Sequence, residues 1–106
     1  MTTALNAAKY LLTLDNSEAG DLMSNLKLQK LLYYAQGVHL ALHNRPLFSE
    51  VIEAWQHGPV CPSVYRQYKR FGSGAIPAPS GFDASVIGKK EREVLHEVHT
   101  VFGQFS

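Results

Sequence analysis

The chain has 106 residues, with ten Lys and Arg against nine Asp and Glu, for a formal charge of +1. At 45% hydrophobic and 18% charged residues it has the composition of a globular protein, and its near-neutral charge excludes a global attraction to a polyanion. One cysteine cannot close an intrachain disulfide, no apolar run approaches the roughly 18 residues of a membrane span, and no secretion signal is present, so a single cytoplasmic domain over 1–106 is expected.

The first predicted helix has Thr2 or Thr3 as its cap, followed by Leu5, Ala8, Leu11 and Leu12 at helical spacing. "LDNSEAGD" (Leu14 to Asp21) has the composition of a turn. The second helix is capped by Ser24 or Asn25. Leu28, Leu31, Leu32, Ala35, Val38 and Leu42 recur along it in steps of three and four, and Lys27, Gln29 and Lys30 fall off that stripe. Gly37 in mid-helix points to close packing there, and "HNRP" (His43 to Pro46) ends the helix because the residue before proline disfavours the helical region.

"LFSEVIEAWQ" reads as a short extended segment or hairpin arm over 47–57, and "HGPVCP" as a turn. A third helix is expected from Pro62, which suits the first helical turn, to about Phe71, with Gly72 as its stop. Val64, Tyr65, Tyr68 and Phe71 would form its inner face. "GSGAIPAPSG" (Gly72 to Gly81) is an internal loop, and a last helix starts near Lys89, with Val94, Leu95, Val98, Val101, Phe102 and Phe105 keeping the 3.6-residue period. The expected fold is therefore mainly α, a compact domain of about four helices with a short β element. Leu28, Leu31, Leu32, Ala35, Trp55, Tyr65, Tyr68, Val94, Leu95 and Val98 would form most of its core.

The run "EAWQHGPVCPSVYRQYKRFG" (Glu53 to Gly72) concentrates the rare residues, including the single Trp and the single Cys. Cys61 at a helix N-terminus with His57 four residues upstream is the right kind of setting for a thiolate, but no cysteine-enzyme signature surrounds it. His39 and His43, His96 and His99, with Cys61 and His57, supply metal-ligand types; no cysteine pair or metalloprotease helix motif accompanies them, so neither metal nor cofactor is expected. Arg66, Lys69 and Arg70 interleave with Tyr65, Tyr68 and Phe71. That spacing puts the aromatics on one helical face and the cations on the solvated one, which leaves a DNA-binding regulator as the alternative reading.

Taken together, "LKLQKLLYYAQG" (Leu26 to Gly37), "PLF" (Pro46 to Phe48), "WQHGPVCP" and the pair Phe82-Asp83 resemble the Panacea domain family, also called SocA-like or phage-associated GepA-like. The resemblance covers nearly the whole chain and implies a bacterial antitoxin that neutralises a cognate toxin by direct binding. One variation implied by it is an adaptor delivering the toxin to a ClpXP-type protease. It also implies a further C-terminal helix that these residues lack. Interfaces favour aromatic and Arg anchors, so Tyr33, Gln36, Trp55, His57, Arg66, Lys69 and Arg70 are the contact candidates, with self-association left open.

Overall fold

The computed structural model describes residues 1–15 and 23–104. Most of the expected turn after the first helix, and Phe105, lie outside the described residues. Helix α1 (Ala4–Leu14) begins at Thr3, whose hydroxyl accepts the Asn6 N–H at 3.1 Å. Helix α2 (Asn25–His43) begins at Ser24, whose hydroxyl accepts the Lys27 N–H at 3.2 Å. Each cap gives an acceptor to a first-turn amide that the helix itself leaves free. Helix α2 stops at Asn44, which takes the left-handed conformation (φ 55°) and donates its N–H to the Leu40 carbonyl at 2.9 Å. Asparagine is one of the few side chains that tolerate that conformation.

The β element is a two-stranded antiparallel hairpin, β1 (Glu53–Trp55) and β2 (Gly58–Val60), with Glu53 opposite Val60, Ala54 opposite Pro59 and Trp55 opposite Gly58. This corrects the reading of "HGPVCP" as a turn: the turn is Gln56-His57, and Gly58 to Val60 is strand. A two-residue loop makes its flanking residues the hydrogen-bonded pair. Pro59 then falls opposite Ala54, where its missing N–H costs the ladder nothing. The positive φ that closes the hairpin falls on Gly58 (φ 125°).

Helix α3 (Pro62–Tyr68) carries Pro62 in its first turn and runs into a 3-10 turn over Lys69–Phe71, closed by Gly72 at φ 56°. A second 3-10 turn, Ala84–Val86, leads into α4 (Lys89–Phe102). Helices α1, α2 and α4 pack on one another, β2 lies along α2, and α3 closes the remaining side against α1 and α2.

The core lies between these elements. Ala8, Leu11, Leu28, Leu31, Leu32, Ala35, Val64, Val94, Leu95 and Val98 are buried as the helical periods require. Loop residues complete it: Met23, Leu47, Phe48, Ile76 and Ile87 are also buried, and the Ile76 N–H donates to the Met23 carbonyl at 2.8 Å.

Five expectations are corrected. Trp55 is exposed, because both faces of the short β1 are open to solvent. Tyr65 and Tyr68 are only partly buried, and Leu42 is exposed. Gln29 belongs to the buried side of α2, at 1% exposure. Gly37 faces open space, with nothing within 4 Å of the position a Cβ would take, so close packing does not explain it.

Candidate functional site

A buried polar network fixes the hairpin and α3 on α2. Gln29 donates from Nε2 to Asn25 Oδ1 at 2.9 Å and accepts the Cys61 N–H on Oε1 at 2.8 Å, while Asn25 Nδ2 donates to the Tyr65 carbonyl at 3.2 Å. Side chains one turn apart on α2 thus reach the Cys61 amide at the cap of α3 and the Tyr65 carbonyl midway along it. Gln36 does the same for the next loop. Its Oε1 accepts the N–H groups of Leu47 (2.6 Å) and Phe48 (3.3 Å), and its Nε2 donates to the Phe48 carbonyl (2.8 Å).

With those polar groups spent internally, the solvent side of α2 presents an apolar surface, with Gln36 at its edge. Tyr33 is 50% and Leu40 49% exposed, and with Gly37 between them they form a second stripe at steps of four and three. Together with Tyr34, Val38 and Ile52 they line a groove of about 550 Å³, whose floor beside Gly37 is open. The Tyr34 ring stacks on Phe102 at 4.5 Å between centroids, which ties one wall of the groove to the end of α4.

A second recess, of about 230 Å³, lies at the start of α2 among Leu26, His57, Tyr65 and Gly72. Trp55 stands beside it at 41% exposure, its ring edge-on to Tyr65 at 5.1 Å and its indole N–H donated to Glu53 Oε1 at 2.9 Å. The cations Arg66, Lys69 and Arg70 are exposed on α3 and the turn after it. Arg70 lies over the Phe71 ring at 4.6 Å and donates to the Gln67 carbonyl at 2.9 Å. Partial burial pushes the Tyr68 hydroxyl above its usual range, opposed by the Arg70 charge.

The contact candidates therefore separate into two groups. Tyr33 and Gln36 belong to the groove; Trp55, His57, Arg66, Lys69 and Arg70 belong to the hairpin and α3. Tyr34, Gly37, Leu40 and Ile52 were missed by sequence reasoning. The signal available was the Tyr33-Gly37-Leu40 spacing, a second apolar line away from the leucine stripe.

Cys61 is buried, with Ser63 Oγ at 3.5 Å from its sulfur, and His57 is exposed on the hairpin loop. Of the other candidate ligands, His39 sets Nδ1 against the Arg45 carbonyl at 2.7 Å and lies 4.8 Å from the His43 ring at a tilt of 55°, while His99 pairs with Asp15 at 3.1 Å. Among the described residues, no three His, Cys, Asp or Glu side chains gather where they could hold a metal ion. No helix among them is long and apolar enough to cross a membrane.

A family model described as "Antitoxin SocA-like, Panacea domain" matches residues 28–106. The chain belongs to this family. The matched span takes in most of α2, the hairpin, α3 and α4, and so both surfaces described above. Antitoxin SocA of Caulobacter vibrioides is 50% identical over 62 residues, a stretch covering 58% of this chain and 33% of that protein. The chain thus matches about a third of the length of that curated relative. No solved structure matches it.

Proposed function

We propose that this chain is an antitoxin that neutralises a cognate toxin by direct, non-catalytic protein contact in the cytoplasm. The observation that carries the reading is the exposed aromatic and apolar surface of α2 and the hairpin, in a member of a SocA-like antitoxin family. Tyr33 and Leu40 stand in water along one groove and Trp55 on the hairpin, and contiguous apolar patches mark partner sites. Tyr33, Trp55 and Arg66 are the anchors, because large rigid side chains and guanidinium groups dominate interface energies. His57, Lys69 and Arg70 surround them. Gln36 acts by holding the loop on which the surface rests. Delivery of the bound toxin to a ClpXP-type protease is the finer mode within this reading.

The test uses the product of the open reading frame beside this chain's gene. Its expression alone is expected to arrest growth, and co-expression with the chain to restore it. Trp55→Ala combined with Arg66→Glu should remove the rescue while the chain remains folded by circular dichroism. Unabated toxicity with the wild-type chain, or full rescue by the double variant, contradicts the corresponding part of the proposal. A toxin half-life shortened only when the protease is present supports delivery; an unchanged half-life supports steric neutralisation.

A further inference from the structure

We infer that the α2 groove receives the apolar face of an acidic amphipathic helix of the partner protein, an inference that rests on the antitoxin reading. Three observations select this occupant. First, the dimensions fit. Tyr33 to Leu40 spans seven residues, about 10 Å of helix rise, and an approaching helix is about 10 Å across. The recess at Gly37, with nothing within 4 Å of the position of a Cβ, gives a single knob side chain from the partner a place to enter.

Second, the groove offers no backbone ladder. Its main wall is α2, whose amides and carbonyls are bonded within the helix from Asn25 to His43, and the facing wall is the single side chain of Ile52. An extended segment placed there would leave its own backbone groups without partners. A helix brings its hydrogen bonds with it.

Third, the charge that α2 itself brings to the hairpin end of the groove is positive. Helix α2 carries Lys27 and Lys30 and no carboxylate. Lys30 lies one turn before Tyr33 and Tyr34, at the end of the groove nearest the hairpin, and its Cε reaches within 3.9 Å of the Cβ position at Gly58. Of the two carboxylates on the segment that carries Ile52, Glu50 accepts the Ala4 N–H at 2.9 Å and Glu53 the Trp55 indole N–H at 2.9 Å, and neither lines the groove. A partner helix with Asp or Glu beside its apolar stripe meets complementary charge at this end, which speeds encounter and fixes orientation.

The test measures binding of the full chain to the neighbouring-gene product by calorimetry and stopped flow. Gly37→Leu fills the recess at an exposed helical position with negative φ, where leucine is a better helix former than glycine, so the fold is retained. It is expected to weaken binding at least about 100-fold, the loss typical of a blocked anchor pocket. Lys30→Glu is expected to slow association about tenfold at low salt, with the difference shrinking as salt rises. A helical peptide from the partner carrying the acidic stripe should compete for the wild-type chain and gain helicity on binding.

Wild-type binding that Gly37→Leu leaves unchanged overturns the groove assignment and leaves the antitoxin reading intact. Failure of the wild-type chain to bind or neutralise the toxin overturns both. A competing segment that binds without becoming helical overturns the helix, and a concentration-dependent dimer of this chain lost in Gly37→Leu would name a second copy as occupant instead.

Discussion

Gln29 Oε1 accepts the Cys61 N–H at 2.8 Å across 32 residues of chain, and both groups are buried. This bond, with the Asn25 bonds beside it, sets the start of α3 against α2 and thereby positions the hairpin that carries Trp55 and His57. Gln29→Leu leaves the Cys61 amide and Asn25 Oδ1 buried without their partners, while Asn25 Nδ2 keeps the Tyr65 carbonyl. An unsatisfied buried polar group costs about 1–3 kcal/mol, so the urea midpoint of Gln29→Leu should fall by that equivalent. A midpoint within error of wild type would show that the network does not hold the two elements together.

Gly58 and Gly37 are expected to respond oppositely to alanine. Gly58 sits at φ 125°, a region that residues with a Cβ rarely adopt, so Gly58→Ala should destabilise by about 1–3 kcal/mol. Gly37 is a helical residue with negative φ and empty space around it, so Gly37→Ala should stabilise by about 1 kcal/mol. Thermal melts of the pair check both signs at once. Retention of an unfavourable exposed glycine is what a docking recess would require.

How much of this was legible in sequence follows from the range of the interactions. Helix starts were readable because Thr3, Ser24 and Pro62 act on amides or dihedrals within three residues of themselves. The leucine stripe of α2 was readable because burial on a helix repeats with the helical period. Gln29 and Gln36 were not, since the amides they satisfy come from segments 11 to 32 residues away and leave no local trace. Trp55, expected in the core, is exposed. A three-residue strand gives no period from which to read its buried face, and β1 has none. Gly58-Pro59 looked like a turn because proline is rare in strands; only the pairing with Ala54 shows why it is tolerated there.

The acid side of the stability profile should carry a mark of Asp83. Its Oδ1 accepts the Ser85 hydroxyl at 2.7 Å and the Ser85 N–H at 2.9 Å, and these bonds hold the carboxyl below its ordinary 3.8. A carboxyl whose folded pKa is depressed stabilises the fold above its unfolded value. That contribution is lost as pH falls through the lower, folded one. The wild type should therefore lose stability below about pH 4 faster than Asp83→Asn, whose side chain does not titrate. Parallel acid profiles for the two proteins would contradict the role given to the Ser85 bonds.

Gln36 links stability to the groove. Gln36→Leu frees the Leu47 and Phe48 amides and the Phe48 carbonyl, and Phe48 is fully buried. A loss of about 2–4 kcal/mol is expected from the unpaired backbone and the loosened aromatic ring. Hydrogen exchange localises it: amides of 47–52 should exchange faster in the variant while those in mid-α1 remain protected. Uniform acceleration across the chain would instead indicate global destabilisation without a specific role for the loop.

On the proposed reading, this chain works through an exposed apolar face on α2 and not through a catalytic centre. The most direct measurement is growth rescue by the Gly37→Leu and Cys61→Ala chains, each co-expressed with the neighbouring-gene toxin at matched soluble levels. Cys61→Ala is expected to rescue as the wild type does, and Gly37→Leu to fail. Rescue by Gly37→Leu together with failure of a folded Cys61→Ala would contradict that reading.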